Sequence, residues 1–338
     1  MKDLRSLRAC VEKLQKVNVL CAGDVMVDRF VYGEVSRISP EAPVPVLRIE
    51  RQDSMLGGAG NVARNLCALE CAVTVVAVAG DDGAGEEVRN LLHALPNCRP
   101  CIAIENGRRT PVKQRYLSHG QQLLRVDQEC THPISENTLA ALLEHFAAAV
   151  PRCDVVVLSD YNKGVLSGPH AQRFIAAAVE CGKPVVVDPK GRNFRRYHSV
   201  TLLKPNLKEL AEATSISADN AAGLEAAAQR ALRDSAAAWL VVTRGAEGMS
   251  LFSAEGWRRD FPSLAREVFD VSGAGDTVAA TLAAALGSGS RIEESVALAN
   301  LAAGLVVAKV GTAVVTRQEL AEELAGRDLA RETAGCRA

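Results

Sequence analysis

The sequence predicts an α/β protein: a doubly wound, mostly parallel sheet with a small antiparallel β lid inserted into it. Three observations predict this. Short, β-branched, unalternating runs recur along the chain, as strands buried on both faces require. Helical patterns separate them in a βαβα rhythm. Two stretches break the rhythm with alternating residues around turn signals and no helix between, as hairpins do.

In order, "VNVLCAGD" reads as a first buried strand ending at Gly23 and Asp24. The first hairpin, "RFVYGEVSRISPEAPVPVLRIERQ", turns at Ser-Pro, and the helix "GNVARNLCALE" follows. The strand "AVTVVAVAGDD" and the helix "GEEVRNLLHAL" precede the second hairpin, "RTPVKQRYLSHGQQLLRVDQE", which turns at His-Gly. Then come the helix "SENTLAALLEHFAAAV", the strand "CDVVVLSDY", the helix "GPHAQRFIAAAVEC" and the strands "KPVVVDPKG" and "SVTLLKPN". The helix "DNAAGLEAAAQRALRD", the strand "AAWLVVTRG" and the alanine-rich helix in "FDVSGAGDTVAATLAAAL" complete the pattern. One domain over residues 1–325 is expected, with lid insertions at about 29–52 and 108–128 and a frayed tail at 326–338. In such sheets ligands bind beyond the carboxyl ends of the strands, so Asp24, Asp160, Asp188, Asn206 and Arg244 should share one rim. A lid this small needs cover for its apolar face, which closure over the rim, a second subunit, or both would supply.

A net charge of −1 over 338 residues gives no reason to expect a nucleic-acid surface. No apolar run approaches a bilayer span and the N-terminal "MKDLRSLRACVEKLQK" is polar, so a cytoplasmic protein without membrane contact is expected. The ten cysteines are scattered, mostly in apolar runs. Cys98 and Cys101 form a CxxC with neither a second pair nor a nearby histidine, which favours buried thiols over a zinc site. The six histidines show no metal spacing.

The chemistry concentrates in two glycine clusters. In "DVSGAGDT" a glycine turn opens a helix, so free N–H groups and the helix dipole together favour an anion. Asp276 in that turn is either a helix cap or a base that takes a proton late from an attacking hydroxyl, its pKa held low by the dipole. Asp270 would fix the turn or hold a cation. In "LGGAGNVARNL", Gly58, Gly60 and Ala63 fit the dinucleotide fingerprint, and Asp81 follows about twenty residues on. A nicotinamide-dependent dehydrogenase is therefore a rival reading. Against it, "RIERQDSML" is too polar for the buried strand that should lead into the turn. There is no GxxxxGK[ST] phosphate loop.

Taken together, "GGAGNVA" and "DVSGAGDT" resemble the paired signatures of the ribokinase (PfkB) family of sugar kinases, and the likeness spans about residues 15–320. "NLKE", Asn206 to Glu209, resembles that family's magnesium-linked NxxE motif, and "VTRGAEGMSLF" its nucleotide-side strand and turn. Val278 and Thr281 depart from the Phe and small residue common there, within the helix. "SRISPEAPVPV", "VDPKG" and "LLKPNLKE" are most similar to the family's heptose 7-phosphate kinases of ADP-heptose synthesis. The resemblance implies a ribokinase-like fold and ATP-dependent phosphorylation of the anomeric hydroxyl of D-glycero-D-manno-heptose 7-phosphate, giving the 1,7-bisphosphate. ATP, Mg²⁺ and a monovalent cation are the implied cofactors. A nucleotidyltransferase domain with an HxGH motif follows the kinase in many such proteins. This chain has no HxGH, so a monofunctional kinase with a separate adenylyltransferase is expected.

The resemblance also implies roles. Asp276 would be the base, and the N–H groups of Gly273, Ala274 and Gly275 the anion hole. Asp24, Asp28, Gly57, Gly58 and Asn61 would bind the sugar. Asn206 and Glu209 would organise Mg²⁺ through water. Thr243, Arg244, Gly245, Gly248, Asn300 and Gly304 would lie along the nucleotide. A substrate already carrying a phosphate needs cations at its far end. Lys113 and Arg115, two apart on a lid strand, share one face and are the first candidates; Arg125 and Lys190 are the next. A homodimer through the lid is expected from apolar positions such as Val44, Val46 and Leu47. The rivals are a kinase for another sugar or sugar phosphate, the dehydrogenase, and a non-catalytic sugar- or nucleotide-binding protein.

Overall fold

The first strand, β1 (Asn18–Ile38), does not stop at Gly23 and Asp24 but runs on for 21 residues and belongs to two sheets. This computed structural model describes residues 4–309 and 311–335. Beside β1 in chain order stand β2 (Pro45–Gly58), β3 (Ala72–Gly80), β4 (Cys98–Glu105), β5 (Val112–Ser118) and β6 (Gln121–Gln128). The later strands are β7 (Val155–Ser159), β8 (Val185–Asp188), β9 (Leu202–Leu203), β10 (Trp239–Thr243), β11 (Met249–Ser253) and β12 (Arg258–Phe261).

The main sheet has the order β12-β11-β10-β9-β8-β7-β1-β3-β4. Neighbours from β10 to β4 run parallel, and β11 and β12 add an antiparallel edge. The chain leaves β1 for β3 and β4 on one side and returns to β7 on the other. That reversal, between β1 and β7, is where doubly wound sheets bind ligands. Both faces are covered. On one lie α1 (Leu4–Lys13), α2 (Ala59–Ala68), α3 (Gly83–His93), α8 (Ala274–Gly287), α9 (Ile292–Val306) and α10 (Arg317–Gly335). On the other lie α4 (Glu136–Ala149), α5 (His170–Glu180), α6 (Leu207–Thr214) and α7 (Ala221–Ser235). In β1, Val19 and Cys21 enter the first core while Leu20 and Ala22 enter the second. This two-sided burial is why the strand sequences do not alternate.

The second half of β1 forms the lid. It pairs antiparallel with β2, from Val25 opposite Gly58 to Ile38 opposite Pro45, and parallel with β5; β6 closes the edge. Lid pairing therefore reaches past the expected bounds of 29 and 52. The polar "RIERQDSML" is a strand after all, within β2, but an antiparallel lid strand with a largely exposed face. A strand does lead into the glycines, yet not the parallel one that a dinucleotide fold requires. β4, which carries Cys98 and Cys101, is a further strand beyond those read from the sequence. The expected tail from 326 is instead helix as far as Gly335, and 336–338 lie outside the described residues. No helix among the described residues is long and apolar enough to cross a membrane.

Where β1 passes from sheet to lid, Gly23 has φ 155° and lies so near β7 that a Cβ would stand 2.0 Å from the Ser159 carbonyl oxygen. Gly23→Ala must push β1 and β7 apart, at a cost of about 1–3 kcal/mol. Its urea midpoint should fall clearly below wild type, whereas Gly83→Ala, with nothing within 4 Å, should stay near it. Equal midpoints for the two variants would refute the close approach.

Candidate active site

Asp276 occupies the first turn of α8, at the carboxyl rim of the sheet, and is only 4% exposed. It does not cap the helix. The N-terminal position belongs to Gly273 at φ 79°, and the Asp276 carboxylate reaches across to two other elements. Asn61 Nδ2 of α2 donates to Oδ2 at 2.7 Å, and the Tyr161 hydroxyl, from the loop after β7, donates to Oδ1 at 2.7 Å. Arg64 fixes the Asn61 amide by donating to its Oδ1 at 3.1 Å and to the Thr312 carbonyl at 3.1 Å. Thr277 of α8 donates to Asn65 of α2 at 2.8 Å, locking the two helices side by side.

Burial dominates the electrostatics. It pushes the Asp276 carboxyl above its ordinary pKa, while Asn61, Tyr161 and Lys204 pull it back. The expectation of a pKa held low by the dipole is overturned, because desolvation outweighs the field at a fully enclosed site. Lys204, 3% exposed, directly follows β9 and pairs with Asp188 at 2.9 Å. Burial works against its charge, but Asp188, Glu209 and Asp276 outweigh it and raise its pKa. Asp188 is pushed up to about 7 by burial, with Lys204 opposing. The Lys204 ammonium lies beneath the glycine turn, 3.6 Å from where a Gly275 Cβ would be. Of the three N–H groups expected in the turn, that of Ala274 donates to the Val271 carbonyl, and the helical ladder begins with Thr277 N–H to the Gly273 carbonyl. Of the expected anion-hole donors, only the Ala274 N–H is thus taken up within the turn. Asp270 fixes the turn by accepting from Ser272 N–H and Gly311 N–H.

On the lid side the two early aspartates separate. Asp24 is buried, and its oxygens accept the N–H groups of Tyr161 and Lys163 at 2.9 Å each and Val165 at 3.0 Å. Three of its acceptor positions are therefore committed to the backbone of that loop, where sugar contact was expected. Asp28 is placed differently. It takes Arg115 Nη1 at 2.6 Å, packs on Gly57, and lies opposite Lys113 in the strand register. Lys113 Nζ sits 5.3 Å from the Tyr161 ring centroid, in surroundings whose burial lowers its pKa. Gly58 closes the β1–β2 pairing against the Asp24 carbonyl, just before α2. Arg125 does not join this group: it is exposed on β6 and paired with Asp127 on its own strand. Lys190 does not join it either, since its ammonium pairs with Glu209 at 2.7 Å on the other side of the rim.

On that other side a cavity of about 510 Å³ runs from the glycine turn between β10 and α9. Asn206, Thr243, Gly245, Gly248, Gly275, Asn300 and Gly304 line it, with apolar Val268, Val271, Val278 and Val307. Arg244 is not in the lining; its guanidinium turns to Glu247 and Ser250. Asn300 donates to the Pro262 carbonyl at 2.8 Å. Asn206 and Glu209 form a reciprocal capping box at the start of α6, so their spacing has a structural use in its own right. Among the described residues no cluster of three or more His, Cys, Asp or Glu could hold a metal ion. Another cavity, of about 290 Å³ and lined by Arg99, His145 and Arg152, lies at the amino ends of β1 and β3, away from this chemistry.

Tyr161, Lys204 and Arg64 were missed by motif reading, and Asp188 was placed on the rim without a role. "SDYNKG" and "LLKPN" offered a signal, because polar residues ending buried parallel strands belong to the rim. Arg64, on a helix with no motif of its own, offered none.

The model of the pfkB family carbohydrate kinases matches residues 16–318. The bifunctional protein HldE of Paramagnetospirillum magneticum is 50% identical over 97% of this chain and 67% of its own length. That of Caulobacter vibrioides is 50% identical over 89% of this chain and 62% of its own length. The chain thus spans about two thirds of these relatives. Among solved structures, Escherichia coli phosphofructokinase-2 in complex with potassium superposes with a TM-score of 0.75 at 22% identity, covering 91% of this chain and 98% of that one. Arabidopsis thaliana ribokinase complexed with ribose and ATP gives 0.70 at 20% identity, with the same coverage. These two likenesses show the ribokinase-like fold. With its family model and its close relatives in agreement, the chain belongs to the pfkB family of carbohydrate kinases and is an ATP-dependent sugar kinase.

Proposed function

We propose that this kinase phosphorylates the anomeric hydroxyl of D-glycero-D-manno-heptose 7-phosphate, giving the 1,7-bisphosphate. The observation that carries the reading is the position of Asp276. It stands between a cavity of nucleotide size and the lid strand that carries Lys113 and Arg115. The similarity of "SRISPEAPVPV", "VDPKG" and "LLKPNLKE" to heptose 7-phosphate kinases supports the choice of sugar.

In this mechanism Asp276 accepts the proton of the attacking hydroxyl late, as the new P–O bond forms. The N–H groups near Gly275 and the Lys204 ammonium balance charge on the transferring group. Thr243, Gly245, Gly248, Asn300 and Gly304 bound the nucleotide. Arg244 would help only by shaping the strand edge. Mg²⁺, when bound, neutralises phosphate charge; the oxygen donors of Asn206 and Glu209 suit a hard cation and would hold it through water. A monovalent cation beside the turn is part of the same reading. Lys113 is the better candidate for the acceptor's phosphate, since Asp28 already engages Arg115. The exposed apolar side chains of the lid, Ile38, Val44, Ile49, Leu124 and Val126, support a homodimer through this sheet.

The following outcomes test the proposal. Asp276→Asn should keep the fold, because its amide oxygen can face Asn61 and its NH₂ can face the Tyr161 hydroxyl. Loss of the base should cut kcat by about a hundredfold to ten-thousandfold. Turnover close to wild type would leave Asp276 without a chemical role. With ATP–Mg²⁺ and a panel of sugars and sugar phosphates, mass spectrometry should find the heptose bisphosphate as the main product. Lys113→Ala should raise the KM for that acceptor about tenfold or more, as loss of one charge-assisted contact predicts, and spare the KM for ATP. Arg115→Ala should act in the same direction while also freeing Asp28. Equal use of the unphosphorylated heptose would overturn the choice of substrate. Light scattering at micromolar concentration should report a dimer; a fully active monomer would exclude the lid interface.

A further inference from the structure

The loop after β7 does more than connect strands. Asp24 gathers three of its backbone N–H groups, those of Tyr161, Lys163 and Val165. Arg196 and Tyr197 hold Asp160 at its start, with the Tyr197 hydroxyl 2.7 Å from the carboxylate. Asn162 takes a left-handed conformation, φ 57°, and its N–H donates to Asp160 Oδ1 at 2.7 Å. Arg108, buried, donates to the Lys163 carbonyl, and Lys163 pairs with Glu129 at 2.8 Å. A loop fixed from so many directions delivers one side chain to the chemistry. The Tyr161 hydroxyl meets Asp276 Oδ1, while Asn61 holds Oδ2.

We propose that Tyr161 is a positioning residue for Asp276, and that Asp24 serves the reaction through it by pinning the loop, without touching the acceptor. This rests on Asp276 being the base. With both oxygens held, the carboxylate has one orientation, and each oxygen keeps a lone pair for an incoming hydroxyl proton. The phenolic donor also favours the charged carboxylate against the burial that opposes it. Lys113, over the face of the same ring, brings the lid strand into contact with the device.

The first readout needs no acceptor. In protein carrying ¹³C-labelled aspartate carboxyls, the Asp276 signal is assigned by its loss in Asp276→Asn and titrated by NMR. Tyr161→Phe keeps the ring and removes only the hydroxyl, so the Asp276 pKa should rise by roughly one pH unit. With ATP–Mg²⁺ and heptose 7-phosphate, kcat at neutral pH should fall roughly tenfold to a hundredfold with the KM for ATP unchanged. The acidic limb of the kcat profile should move to higher pH, because a donor to the ionised form is gone. In Asp24→Asn an NH₂ must face one of the loop's N–H groups. It should shift Asp276 in the same direction and lower kcat, and the double variant should be no worse than the poorer single one. An unshifted Asp276 in Tyr161→Phe would overturn the role of Tyr161. Additive losses, with a raised acceptor KM in Asp24→Asn, would return Asp24 to the acceptor. If Asp276→Asn turns over normally the base assignment fails; if it is inactive while Tyr161→Phe matches wild type, only the present proposal fails.

Discussion

A carboxylate sealed from water is the constraint to which the rest of this rim answers. A buried charge is tolerated only when donors and countercharges surround it. Asp276 draws its donors from α2 and from the loop after β7, and a countercharge from Lys204, just after β9. Each of these needs support of its own: Arg64 behind Asn61, Asp24 behind Tyr161, Asp188 behind Lys204. Elements distant in sequence are thereby tied to one atom group. The glycine turn of α8 lets the helix begin close enough to join them.

Much of this was legible in the sequence. The βαβα rhythm, the two hairpins and both glycine clusters fall where the residues suggested, because burial on two faces and tight turns leave strong local marks. Contacts that the sequence did not foretell have a common cause. Asp24 was taken for a ligand of the sugar, yet its oxygens face N–H groups of a loop some 137 residues or more away, and no local pattern reports that. Arg244, Arg125 and Lys190 were assigned to ligands but found carboxylates nearby. A cation's partner depends on where its flexible stem reaches, which strand alternation alone does not determine.

The pair Asn206 and Glu209 shows how one spacing can serve two ends. An Asn followed three residues later by Glu caps a helix reciprocally, and it does so here. The same geometry presents two oxygen-bearing side chains at the rim, Asn206 lining the cavity and Glu209 near Lys204. Stability and ligand handling need not compete when the cap leaves oxygen lone pairs free. The motif that reads as chemistry in the sequence is therefore also the start signal of α6.

β1 is one uninterrupted strand rooted in the main sheet and extended into the lid, with register shifts at Tyr32–Gly33 and Val35–Arg37. Mechanically it is a cantilever. Its root is clamped between β3 and β7, and the close contact at Gly23 leaves no slack there. Such a beam bends where its ladder is already interrupted, beyond the first irregularity. Asp28 lies on the clamped side of that point and Ile38 on the free side. Flexing the tip would sweep the outer lid through space while leaving Asp28 and its Arg115 partner in register with the floor of the site.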